Sequence, residues 1–112
     1  MKDRKLKIGK KEKAAIEELK REVLRKFPSA KFTLFGSVTK GCATDESDVD
    51  VLVLLDKIDK NAKERIRRIS YEIELKKDVA LGLIVESRAD WEKCESLEMP
   101  LCQEVWKYGI PL

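Results

Sequence analysis

The run Val51-Leu52-Val53-Leu54-Leu55 constrains the fold of this chain more than any other stretch. Successive side chains of a strand point to opposite faces of a sheet, so a strand that is apolar at every position must be covered on both faces. We therefore expect residues 48–55 to form a central strand. The run is far too short to cross a bilayer as a helix.

Hydrophobic periodicity predicts the elements around this strand. They are helices over 11–27, 60–77 and 89–97 and strands over 31–35 and 79–85. A single helical turn is expected over Val38 to Cys42, followed by a polar loop over Thr44 to Ser47. Pro100 suits the first turn of a last short helix and Gly109 the position just after it. The sequence thus predicts an α+β fold in two layers, a small mixed sheet with helices packed mainly on one face.

The charge of the chain is unevenly distributed along its 112 residues. Residues 1–31 carry a net charge of +7 and the remainder carries −4. We interpret residues 1–10 as a basic flexible arm and 11–112 as a single domain, since the length suits one core. Nucleic-acid binding by the basic segment is disfavoured, because Phe27 is its only aromatic residue and base stacking has little to use. No apolar leader segment is evident, which favours the cytoplasm.

The chain contains no histidine, and this excludes catalytic triads, Cys–His pairs and His-ligated zinc. Its three cysteines are Cys42, Cys94 and Cys102. An odd number without a secretory context argues against a disulfide framework, so we expect ordinary thiols. The chemistry must therefore depend on carboxylates, hydroxyls, backbone amides, lysine or arginine.

Two carboxylates stand at the start of the predicted central strand. Asp48 and Asp50 point to the same face, about 7 Å apart along the strand. Like charges this close repel, and a hard divalent cation such as Mg²⁺ would relieve the repulsion. Upstream, Gly36 allows close approach of the backbone to a ligand, and Ser37 opens a turn that can face an anion. Paired carboxylates with a Gly-Ser turn indicate phosphoryl or nucleotidyl transfer.

The spacing of these residues resembles that of the minimal nucleotidyltransferases of the DNA-polymerase-β superfamily. Their signature is Gly-Ser, ten residues, then Asp-x-Asp, and Gly36-Ser37 and Asp48-x-Asp50 match it. The apolar run 51–55 and the ending over 99–112 are also similar to the family. The resemblance implies that Asp48 and Asp50 bind Mg²⁺, and that Gly36, Ser37 and Lys40 bind the phosphates of ATP or another NTP.

The resemblance also implies an acceptor and a partner. Members of this family transfer AMP to a hydroxyl with release of pyrophosphate, and many small members pair with a helical HEPN-type toxin that they adenylylate on tyrosine. We expect a homodimer or a complex with such a protein to complete the site.

One feature of the family has no clear counterpart. A third carboxylate usually lies on the next strand, where the predicted register places Ala80. Asp78 and Glu86 share the parity of that position, and the sequence alone does not choose between them. The competing interpretation is therefore a weak or inactive nucleotide-binding module that acts as an antitoxin by binding protein.

Overall fold

The described part of the chain folds as a four-stranded sheet with helices on both faces. The computed structural model describes residues 8–41 and 48–112. In chain order its elements are α1 (Lys10–Lys26), β1 (Lys31–Phe35), α2 (Ser37–Lys40), β2 (Val49–Leu55), α3 (Lys60–Lys77), β3 (Leu81–Ser87), α4 (Arg88–Ser96), α5 (Pro100–Tyr108) and β4 (Ile110–Pro111). The predicted loop over Thr44 to Ser47 and the first seven residues of the predicted arm lie outside the described residues.

The sheet has the strand order β3-β2-β1-β4, so β2 is central as its apolar run predicts. β2 pairs with β3 in parallel and with β1 antiparallel, which confirms the mixed sheet. β3 begins two residues later than predicted, because its pairing starts with Leu81 opposite Val49. The short strand β4 was not predicted, since two residues after a helix carry no periodicity. It pairs with β1 through Leu34 and Ile110.

The two longest helices, α1 and α3, pack on one face of the sheet, as expected. They contribute Leu19, Val23, Ile66 and Ile73 to the larger core cluster, which includes Val51 and other residues of β2. Asp59 is the N-cap of α3, and its carboxylate accepts hydrogen bonds from the backbone amides of Asn61 and Ala62. Across the helix pair, the Lys76 ammonium donates to Glu18 at 2.6 Å, and this hydrogen bond lowers the pKa of Glu18.

The shorter helices α4 and α5 cover part of the other face. A second core cluster forms there from Phe35, Leu52, Trp91, Cys102 and Val105. β2 is therefore covered on both faces, which explains its uninterrupted apolar run. None of the helices among the described residues combines the length and the apolar character needed to cross a membrane.

The expectation that the cysteines are ordinary thiols is wrong for two of them. Cys94 of α4 and Cys102 of α5 form a disulfide, with their Cα atoms 6.2 Å apart. The pairing was missed because it depends on the tertiary turn between the two helices, where Glu98 adopts a positive φ of 54°. Cys102 is 2 % exposed, so the disulfide anchors α4 to the second core cluster.

Reduction of this disulfide is expected to lower the free energy of unfolding by roughly 2.5 kcal/mol, because the link closes a short loop and restricts the unfolded chain. Urea denaturation with and without reductant measures the difference. Cys94→Ala should show the same loss, and reductant should have no further effect on that variant. Identical midpoints for the oxidised and reduced wild type would contradict the prediction.

Candidate active site

The structure brings the two predicted carboxylates together at one end of the central strand. Asp48 immediately precedes β2 and is exposed, whereas Asp50 is the second residue of β2 and half-buried. Asp50 pairs with Phe35 on one side and with Gly82 on the other. A Cβ atom at Gly82 would collide with the Asp50 carboxylate and lie 3.8 Å from the Cβ of Asp48. Both acids therefore border the same glycine and share one face of the sheet.

The turn after β1 approaches Asp50 from the other side. Gly36 has a φ of 84°, a conformation that residues with a side chain rarely adopt, and a Cβ there would overlap the Asp50 carboxylate. The Gly36 carbonyl accepts hydrogen bonds from the backbone amides of Thr39 and Lys40 at 3.1 and 3.2 Å. It also accepts one from the Thr39 hydroxyl at 3.0 Å. These bonds hold Ser37 at the start of α2, one residue earlier than the predicted turn. The last residue of that predicted turn, Cys42, lies outside the described residues.

The electrostatics of this corner are dominated by Asp50. Burial raises the pKa of Asp50, and the nearby carboxylates of Asp48 and Glu104 raise it further. The charged form of Asp50 is therefore opposed both by desolvation and by like charge. A cation at this point would relieve both effects.

Lys40, the predicted phosphate-binding lysine, ends α2 and reaches across to α5. Its ammonium lies 3.0 Å from a carboxylate oxygen of Glu104 and 5.5 Å from the centre of the Tyr108 ring. Lys40 is thus paired with a carboxylate whose charge also raises the pKa of Asp50.

Neither alternative for the third carboxylate reaches the Asp pair. Asp78 is the C-cap of α3, and its carboxylate lies 3.4 Å from the Lys11 ammonium on α1. Glu86 pairs with Leu54, four residues further along the strand than Asp50. Ala80 lies beside the start of β2, where its carbonyl accepts the Val49 amide at 2.9 Å. Among residues 8–41 and 48–112, no group of three or more acidic or cysteine side chains could hold a metal ion.

Sequence reasoning missed two residues of this site, Gly82 and Glu104. Gly82 could have been found from the sequence. It lies two residues after Ala80, on the same face of the predicted strand, and it pairs with Asp50. Glu104 had no comparable signal. It lies on the last helix, and only the packing of α5 against β1 and β2 brings it near Lys40.

Comparison with known proteins identifies the family of the chain. The model of the nucleotidyltransferase domain family matches residues 16–101. A protein of Methanocaldococcus jannaschii, named as a candidate protein adenylyltransferase, is 29% identical over 98 residues, which cover 85% of this chain and 92% of the relative.

Two solved toxin–antitoxin structures are similar in fold. A mutant of the MntA–HpeT toxin–antitoxin superposes with a TM-score of 0.51 at 26% identity, covering 86% of this chain and 70% of the other. A toxin–antitoxin with AMP-PNP gives a TM-score of 0.53 at 23% identity, covering 85% of this chain and 70% of the other. The predicted fold and the resemblance are thus confirmed, and the chain belongs to the nucleotidyltransferase domain family.

Proposed function

We propose that this protein is an Mg²⁺-dependent adenylyltransferase that moves AMP from ATP to a hydroxyl group and releases pyrophosphate. The observation that carries the proposal is the position of Asp50. Its half-buried carboxylate lies beside Asp48 and between Gly36 and Gly82, directly against the Gly-Ser turn. The similarity to a protein named as an adenylyltransferase supports AMP as the transferred group.

The carboxylate pair fits a magnesium ion. Mg²⁺ binds to proteins through one or two carboxylates and completes its shell with water and substrate phosphate, so a third protein ligand is not required. Asp48 and Asp50 would hold the ion. Burial, and then the charges of Asp48 and Glu104, raise the pKa of Asp50, and a bound cation would favour its ionised form. When bound, the ion would neutralise phosphate charge and favour departure of pyrophosphate.

The remaining residues would bind and orient the nucleotide. The turn at Gly36 and Ser37 would contact the β- and γ-phosphates through backbone amides and the Ser37 hydroxyl, and Lys40 would add a positive charge. The acceptor oxygen forms a bond to the α-phosphorus as the bond to the pyrophosphate oxygen breaks. The hydroxyl proton passes to water.

The acceptor is proposed to be a tyrosine of a helical partner protein. The surface around α4 and α5 supports a protein partner, because large apolar side chains are exposed there: Trp106 is 83% exposed and Leu97 63%. Next to them lies a groove of about 570 Å³, lined by residues of α4 and α5 that include Cys102 and Trp106. Two of the structural neighbours are toxin–antitoxin complexes, which is consistent with such an assembly.

A second function is favoured by one observation. On the described part of β2 and the residue before it, Asp48 and Asp50 supply two acids to the site, and Ala80 lies beside the start of β2, where the predicted register expects a third. Without an acid to accept the acceptor proton, turnover would be slow. The alternative is therefore a module that binds nucleotide and neutralises its partner by contact alone.

Calorimetry and a pyrophosphate-release assay separate these functions. We expect wild-type protein to bind ATP only with Mg²⁺, and Asp48→Asn/Asp50→Asn to abolish binding. Asp90→Asn, which removes an exposed acid on α4, is the matched control and should bind normally. Binding with pyrophosphate release upon addition of a hydroxyl acceptor supports transfer, whereas binding without release supports the contact module. Wild-type protein that binds no nucleotide would contradict both.

Asp50→Asn is expected to melt at the same or a higher temperature than wild type in metal-free buffer at pH 7. The pKa of Asp50 in the folded protein is raised above its usual 3.8, so folding favours the protonated carboxyl. The contribution of Asp50 to the free energy of unfolding is therefore present at low pH and is lost as the pH rises through the raised pKa. The amide removes this unfavourable charge.

The same variant should lose the response to magnesium. Mg²⁺ at ten times its Kd is expected to stabilise wild type by about 1.4 kcal/mol. Thermal melts of wild type, Asp50→Asn and Asp90→Asn with and without Mg²⁺ measure this effect. A Mg²⁺ response that Asp50→Asn retains would place the ion elsewhere.

Gly82→Ala is expected to weaken Mg²⁺-dependent ATP binding at least tenfold, because the new Cβ displaces the Asp50 carboxylate. The free energy of unfolding should change by less than about 1 kcal/mol, since glycine is itself unfavourable in a strand. Leu83→Val, at the neighbouring position on the opposite face, serves as the control and should bind normally. Normal binding by Gly82→Ala would show that the position of this carboxylate is not critical.

A further inference from the structure

We propose that Glu104 is a positioning residue that holds the Lys40 ammonium ready for the nucleotide phosphates. This inference rests on the proposed function and deepens it, since Glu104 lies outside the signature that identifies the site. It acts through Lys40 and does not touch the reacting atoms.

The contact between the two side chains is direct and partly shielded. Lys40 Nζ lies 3.0 Å from Glu104 Oε1, and the two side chains are 35% and 34% exposed. The residues are 64 positions apart and belong to α2 and α5. Because about two-thirds of each side chain is shielded, this ion pair is screened less by water and salt than a fully exposed one.

Tyr108 provides a second contact to the lysine. It lies one helical turn after Glu104, so both side chains project from the same face of α5. The Lys40 ammonium lies 5.5 Å from the centre of the Tyr108 ring, within the range of cation–π attraction. The carboxylate and the ring together restrict a side chain that would otherwise sample many rotamers.

This restriction has a consequence for binding. A lysine that must become ordered when phosphate arrives loses rotamer freedom at that step, and the loss subtracts from affinity. With Glu104 and Tyr108 in place, much of that ordering precedes binding. The pair also links α2, which is only four residues long, to a helix anchored in the second core cluster by Cys102 and Val105.

Glu104 also contributes to the electrostatics of the site, because its charge is among those that raise the pKa of Asp50. Glu104 has a different role from the two aspartates, since its own hydrogen-bonded partner is a cation, the Lys40 ammonium.

The test is a double-mutant cycle between Glu104→Gln and Lys40→Met. The probe is the α,β-methylene analogue of ATP with Mg²⁺, measured by calorimetry, and thermal melts check that each variant is folded. We expect Glu104→Gln to weaken binding three- to tenfold, and to have no further effect in the Lys40→Met background. Glu92→Gln, which alters an exposed acid on α4, should bind as wild type.

Kinetics supply a second readout that a merely structural role would not produce. Lys40 would contact phosphates that leave as pyrophosphate, so the contact exists before the reaction. Glu104→Gln should therefore raise KM three- to tenfold and leave kcat within twofold.

Each contrary outcome is distinct. Unchanged or tighter binding by Glu104→Gln would overturn the inference. The carboxylate would then either have no effect on binding or compete with phosphate for Lys40. A loss that persists undiminished in Lys40→Met would also overturn it, since Glu104 would act by another route. In both cases wild-type binding leaves the proposed function standing, whereas wild type that binds no analogue overturns the function and the inference together.

Discussion

Asp50 carries its carboxylate on the central strand of the sheet, where burial and the charges of Asp48 and Glu104 oppose ionisation. The turn after β1 and the neighbouring strand β3 accommodate it, because each has a glycine at the point of contact. Gly36 and Gly82 flank the carboxylate, and a Cβ at either position would meet it. The geometry of the site therefore depends on two missing Cβ atoms as much as on the acids themselves. Selection of a charged residue at such a position is difficult to explain by stability alone, since the charge is unfavourable there.

The site lies at the edge of the second core cluster, and the two are built on the same strand β2 and the same helix α5. Asp50 and Leu52 share one face of β2, yet Leu52 is only 1% exposed. α5 covers this apolar part through Cys102 and Val105, and Glu104 lies between them in sequence. The helix that closes the second core cluster thus also presents the carboxylate that pairs with Lys40. Packing on this face and the arrangement of charges at its end are mechanically coupled.

Local patterns in the sequence were sufficient to predict most of the fold. The apolar run 51–55 indicated a central strand, and α3 was predicted with the bounds that it has, because its apolar positions repeat every three or four residues. The spacing between Gly36-Ser37 and the Asp pair located the candidate site, because both motifs lie within 15 residues of one another. What was missed depends on tertiary pairing. β4 forms only because β1 has a free edge, and the Cys94–Cys102 disulfide requires the turn between α4 and α5.

Glu104 is a residue of the site that the sequence likewise could not predict. Its role follows from the distance to Lys40, which no pattern along the chain encodes. Once it is included, the described residues at this corner comprise three carboxylates and one ammonium, an arrangement with excess negative charge. ATP is itself strongly negative, so such a corner disfavours the nucleotide alone. A divalent cation between Asp48 and Asp50 would offset this excess negative charge and leave the ammonium of Lys40 to attract phosphate. Under the proposed function, this charge arrangement makes us expect nucleotide affinity to depend on the metal, whether the bound nucleotide reacts or only remains bound.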